Sequence, residues 1–181
     1  AAVVAALVVG SRKDYGRKAH VPHDVTYVLL GAGLLWFGWF GFNGGSALGA
    51  NTTAVLAFVN TMLAPAATLT VWMLLDAARG NKITAVGAAT GIVVGLVAIT
   101  PAAGFVGPMG ALMLGGLGAF PSYFMILYRS RTRLDDSLDV WAAHGTGGAA
   151  GAILTGVFAA QVWGGKPGPV DGNTGVILTQ L

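Results

Sequence analysis

Cysteine and glutamate are both absent from this chain. Without cysteine there is no disulfide framework and no thiolate metal site, and the redox compartment leaves no mark. Charge of either sign is scarce. Only 9% of the 181 residues are charged, against about 25% in soluble domains. That deficit excludes a conventional water-soluble domain and leaves lipid as the main solvent of the chain. A net charge of +3 is no nucleic-acid footprint, because the basic residues fall in short clusters between apolar runs. The opening run Ala1 to Gly10 has no basic segment before it, so it does not read as a signal-peptide core. It reads as the end of a truncated helix.

What remains is apolar and small. Hydrophobic residues make up 55% of the chain and Gly numbers 29, with mean hydropathy +0.71. A helix needs about 20 apolar residues to cross a bilayer. Besides the helix end at 1–10, the runs predict spans near 25–48, 52–77, 83–100, 108–128 and 138–162, with 163–181 an external loop. The expected fold class is therefore an all-α membrane protein, a polytopic helical bundle. Pro108 suits a first helical position, and Pro65 and Pro121 fall inside spans, where each frees a backbone carbonyl. All Lys and Arg except Lys166 sit in three loops, 11–24, 78–82 and 129–137. With these spans, the three loops share one side, which the positive-inside rule makes cytoplasmic. Gly87, Gly91 and Gly95 recur every fourth residue, as do Gly148, Ala152 and Gly156. Both rows predict helix contact faces.

Two features carry chemistry. From Val140 to Phe158 the only ionisable group is His144. It lies about 7–8 Å deeper than Asp139 on a helix, shares a face with Val140, and would be followed on that face by Gly147 and Gly151. Intramembrane histidines usually line a path. The alternative is a neutral imidazole hydrogen-bonded to a neighbouring helix. The spacing of Asp136 and Asp139 resembles a capping box with Asp in place of Glu. The second feature is a stripe on the first full span. At 100° per residue, Leu35, Trp39, Phe42 and Ser46 fall on one face. An indole face attracts a cation by about 0.5–2 kcal/mol, and a hydroxyl accepts from an ammonium-type donor. With no carboxylate beside them, such a site suits a small, weakly held cation. The competing reading is an interfacial aromatic belt. His20 and His23 flank Pro22 in a basic loop with no third ligand near, and read as solvated residues rather than a metal site.

Four segments then appear in a telling order. They are Gly38-Trp39-Phe40-Gly41-Phe42-Asn43-Gly44-Gly45-Ser46-Ala47, Ala57-Phe58-Val59-Asn60-Thr61, Gly95-Leu96-Val97-Ala98-Ile99-Thr100-Pro101-Ala102-Ala103-Gly104, and Asp135-Asp136-Ser137-Leu138-Asp139-Val140-Trp141-Ala142-Ala143-His144-Gly145. Together they resemble the ammonium transporter (Amt/Mep/Rh) family, from the end of its fifth span through its tenth. The resemblance implies the second half of an eleven-helix, inverted-repeat fold, a homotrimer when full length, and transport rather than catalysis.

The resemblance also implies roles. Trp39 and Ser46 would bind the cation outside, Phe42 would gate entry, and His144, Leu35 and Val140 would line the pore. Asp139 would stand at its cytoplasmic mouth. The histidine that pairs with His144 would lie upstream of Ala1. The implied substrate is ammonium, deprotonated and passed as NH3 across the plasma membrane. A PII-type regulatory protein is an implied partner on the cytoplasmic loops, and no cofactor or metal is implied. An ammonium sensor on the same scaffold, or another polytopic small-cation carrier, remain the alternatives.

Overall fold

The computed structural model describes residues 1–18 and 21–180. Among these residues the fold is all helical. Helix α1 spans Ala2–Val9, α2 Val25–Gly45, α3 Thr52–Ala78, α4 Ala85–Ile99 and α5 Pro108–Arg129. A π-helical turn, Trp141–Thr146, then leads into α6, Gly147–Phe158. Short elements close the chain: α7 at Gln161–Gly164, a 3-10 turn at Pro169–Asp171 and α8 at Gly175–Leu178. Helices α2, α3 and α5 are each long and apolar enough to cross a membrane, and α4 is a shorter apolar helix.

Local chemistry sets the boundaries. The Asp24 carboxylate accepts from Thr26 N at 2.8 Å, Asn51 Oδ1 from Ala54 N at 3.0 Å and Thr84 Oγ1 from Gly87 N at 3.0 Å. Each side chain satisfies an amide that the helix itself leaves free. Pro108 opens α5 at its first position, where a missing N–H costs nothing. At one end of the bundle, here called the basic end, the connection after α1 meets the one after α5, where Arg12 pairs with Asp135 and Tyr15 OH donates to Leu134 O.

Helix α3 is the hub and packs on α2, α4 and α5. In lipid, apolar burial drives helix association weakly, so close packing and interhelical hydrogen bonds carry it. The core fits that rule. It is dominated by small residues, among them Ala57, Ala64, Ala98, Ala102 and Ala111, filled out by Ile99, Val106 and Leu114. The row of Gly87, Gly91 and Gly95 faces α3. A Cβ on Gly95 would stand 2.5 Å from Pro65 Cα, and one on Gly91 would stand 3.0 Å from Trp72 Cβ. On α6 the expected row is kept at Gly156, which is buried and packs on α8, where a Cβ would stand 3.0 Å from Ile177 Cα. The buried positions include Gly147, Gly151 and Thr155, and a Cβ on Gly151 would collide with the Ala98 carbonyl. Gly148 instead borders an open groove beside α2.

Buried polar groups lock the bundle. Pro65 cannot donate to Thr61 O, and the indole of Trp36 on α2 does so instead at 3.0 Å. Asn43 Nδ2 donates to Thr61 Oγ1 at 2.9 Å. Asn60 Nδ2 reaches Ala103 O at 2.8 Å and Val106 O at 2.7 Å, which pins the break between α4 and α5. The stretch expected as one span at 138–162 is divided by the π turn and ends at Phe158, where Ala159 and Ala160 turn extended. The 163–181 stretch, expected as loop, carries the 3-10 turn and α8.

Candidate functional site: an apolar groove with one histidine

Only Ala32 and Asn43 of α2 are buried, so this helix flanks an open groove. The groove encloses about 670 Å³ and is lined by Leu34, Leu35, Gly38, Trp39, Phe42, Val97, Thr100, Pro101, His144 and Gly148. Its walls are α2, the end of α4 and the π turn running into α6. A smaller hollow of about 270 Å³ lies toward the basic end, bounded by Tyr27, Val28, Ala89, Thr90 and Leu138 among others. Leu35 and His144 line both hollows. They stand where the two meet.

The aromatic wall is held in place. Trp39 is half-buried, and its Nε1 donates to Thr100 Oγ1 at 2.8 Å. Thr100 in turn donates to Leu96 O at 2.7 Å. The only indole donor is therefore occupied, and what faces the groove is ring rather than N–H. Phe42 meets Trp39 edge-on, with ring centroids 5.8 Å apart at 78°. Ser46 lies one turn further on, at the exposed C-cap of α2. Its hydroxyl donates to Phe42 O at 2.7 Å, and it is not among the groove's lining residues.

His144 is exposed on the groove, and no hydrogen bond to its ring occurs among the described residues. Val140 is placed apart from it. It lines a hollow between α1 and the 135–138 loop, with Ala2, Ala6 and Arg12.

Asp139 sits just before the π turn with φ of +52°, a conformation uncommon outside Gly and costly for most residues. Its carboxylate lies 2.6 Å from Arg129 Nη2. The capping-box expectation is corrected here. Asp136 Oδ2 accepts from Trp141 N at 2.6 Å, while Asp139 turns to Arg129 instead of reaching back. His23 is exposed in its loop, and His20 lies outside the described residues. Among the described residues, no group of three or more His, Asp or Glu side chains is arranged to hold a metal.

Sequence reading missed Thr100 and Arg129. Thr100 belongs to the Thr-Pro-Ala-Ala-Gly break, whose conspicuous Pro draws attention to backbone rather than to the hydroxyl. Arg129 reads as one more positive charge in a basic loop.

An apolar groove with one histidine and an aromatic rim, in a bundle whose α2, α3 and α5 are long and apolar enough to cross a membrane, places the chain in the class of polytopic helical membrane proteins. The model of the Ammonium Transporter Family matches residues 1–181. The chain is 48% identical over its full length to an ammonium transporter of Aquifex aeolicus, of which it covers 42%. Its fold superposes on Saccharomyces cerevisiae Mep2 with TM-score 0.86 at 39% identity, covering 98% of this chain and 43% of that one. It also superposes on a sensor Amt protein with TM-score 0.85 at 30% identity, covering 98% of this chain and 46% of that one. The chain belongs to the ammonium transporter family, as a multi-pass membrane protein spanning less than half the length of these relatives.

Proposed function

We propose that this chain forms one wall of a pore that carries ammonium as ammonia across the plasma membrane. The observation that carries the reading is the convergence of Leu35, Trp39, Phe42, Thr100 and His144 on one apolar groove. Trp39 recruits the cation by its ring face, a contact of about 0.5–2 kcal/mol, with Ser46 as a hydroxyl acceptor at the rim. Phe42 restricts entry. In an apolar lumen a charged ion is expensive and a neutral amine is not, so the ammonium ion sheds its proton before passing. Potassium has no proton to shed and is rejected on the same ground.

His144 then supplies a neutral imidazole, donor at one nitrogen and acceptor at the other. It hands ammonia from the outer hollow to the inner one, together with a second histidine from the rest of the protein. Asp139 stands at the cytoplasmic mouth and Val140 follows it at the inner end of the pore wall. The loops at 11–24, 78–82 and 129–137 face the cytoplasm, where positive residues concentrate. The complete protein assembles as a homotrimer with one pore per protomer, and a PII-type regulator would bind its cytoplasmic face. A sensor role is not favoured, because the 48% identical relative is named a transporter while the sensor is 30% identical.

The test is methylammonium uptake by the complete protein carrying His144→Ala or Trp39→Leu. The expected result is lost flux for the first and a raised half-saturation concentration for the second. Unchanged flux and selectivity in both would sink the assignment.

A further inference from the structure

The π turn that presents His144 is anchored at both ends. On its far side, Gly147 packs against Ser122 Oγ and Gly151 against the Ala98 backbone. Those approaches leave no room for α6 to rotate. On its near side, Ala143 N donates to Asp139 O at 2.8 Å and Trp141 N to Asp136 Oδ2 at 2.6 Å. Between these anchors the chain holds one residue more than an α-helical turn takes, and the π turn absorbs it. If the near anchor slipped, the turn would revert to α-helix. Residues on its near side would then rotate by about 100° relative to α6. The imidazole would leave the junction of the two hollows.

The near anchor depends on Asp139 keeping its left-handed backbone, and the side chain that holds Asp139 is Arg129. The guanidinium has only 13% of its side chain exposed and places Nη2 2.6 Å from the carboxylate. Its Nη1 donates to Tyr15 OH at 3.2 Å, and that hydroxyl donates to Leu134 O at 2.9 Å. Arg12 closes the clasp with a bidentate pair to Asp135, Nε–Oδ2 2.8 Å and Nη2–Oδ1 2.7 Å. The loop before α2 is thereby tied to the loop that starts the π turn.

We propose that Arg129 is a positioning residue for the groove histidine: its ion pair with Asp139 holds the π turn in register and so keeps His144 at the meeting point of the two hollows. The effect on flux rests on the transport reading; the effect on the imidazole does not. The experiment therefore uses two readouts on the complete protein in membranes, with Arg129→Gln and Arg129→Lys. One is methylammonium uptake, resolved into maximal rate and half-saturation. The other is the rate at which diethyl pyrocarbonate modifies His144, followed by mass spectrometry of its peptide.

Arg129→Gln is expected to lower the maximal rate on the order of tenfold or more at equal membrane abundance, as small misplacements of a working group do. Half-saturation should move little, and the labelling rate of His144 should change. Arg129→Lys keeps the charge and should restore both readouts. Wild-type labelling in Arg129→Gln overturns the proposal, as does a loss of uptake that merely follows protein abundance. If the wild type takes up no methylammonium, the transport reading fails while labelling still decides the positioning role. Should Arg129→Gln not reach the membrane, Tyr15→Phe withdraws the guanidinium's other support. It must then change the labelling rate of His144, and unchanged labelling overturns the proposal.

Discussion

Replacing Thr100 with valine removes a single oxygen from the groove wall and leaves its volume nearly intact. Thr100 Oγ1 is the acceptor for Trp39 Nε1 at 2.8 Å, and no other partner for that indole nitrogen occurs among the described residues. Interhelical hydrogen bonds in membrane bundles contribute about 0.6 kcal/mol on average and about 1.7 at most. At about 0.59 kcal/mol for RT, that range corresponds to a fall of about 3- to 18-fold in the population of the seated indole relative to other rotamers. If Trp39 recruits the cation through its face, half-saturation for methylammonium should rise by up to about that factor, since affinity follows the seated fraction, while the maximal rate past His144 changes little. Thr100→Ser retains the acceptor and should behave as the wild type. The assay is initial-rate uptake of labelled methylammonium over a concentration series, with membrane abundance measured in parallel. An unaltered half-saturation in Thr100→Val would refute the reasoning. So would an equal defect in Thr100→Ser, which would point to packing rather than to the hydrogen bond.

Two further outcomes are expected. Gly95→Ala should destabilise the bundle by about 1–3 kcal/mol through overpacking, despite the gain in helix propensity. The new methyl would stand 2.5 Å from Pro65 Cα and 2.6 Å from Thr68 Oγ1, and would disturb the Thr68 bond to Gly115 O. Denaturant unfolding in detergent measures this, and equal or greater stability of the variant would contradict the close packing of α4 on α3. Asp171 Oδ2 accepts from Gly168 N at 2.9 Å and Gln161 N at 2.7 Å, and these amides, Gly168 foremost, hold its carboxyl below the usual range. A depressed carboxyl stabilises the folded loop above its unfolded pKa of about 4 and loses that contribution as pH falls through the folded value. Amide protection of Gln161 and Gly168 should therefore be level from pH 8 down to about 4 and fall below it. Asp171→Asn should abolish the step, and a step centred near neutrality would contradict the assignment.

Much of the fold was legible because lipid imposes a simple rule. Every backbone group must be satisfied within its own segment, so apolar runs become helices. Capping by Asp24, Asn51 and Thr84 follows from local geometry in the same way. The groove was partly legible. Leu35, Trp39 and Phe42 share a face by helical period, and His144 is conspicuous among apolar neighbours. Thr100 and Arg129 were not legible, because their roles come from partners 61 residues earlier and ten residues later across helix boundaries.

Composition and period by themselves determined that the chain is a helical membrane bundle, and where its titratable and aromatic residues stand out. They did so because span length, helical angle and the scarcity of charge are local properties. Only the tertiary structure decided which groove His144 opens on, and which neighbours seat the turn that carries it. An α-helical period assumes 3.6 residues per turn, and the turn that carries His144 does not keep it. Its wider winding is imposed from both ends, by glycines seated on neighbouring helices and by an arginine reaching across from α5, and no stretch of the sequence read alone contains both.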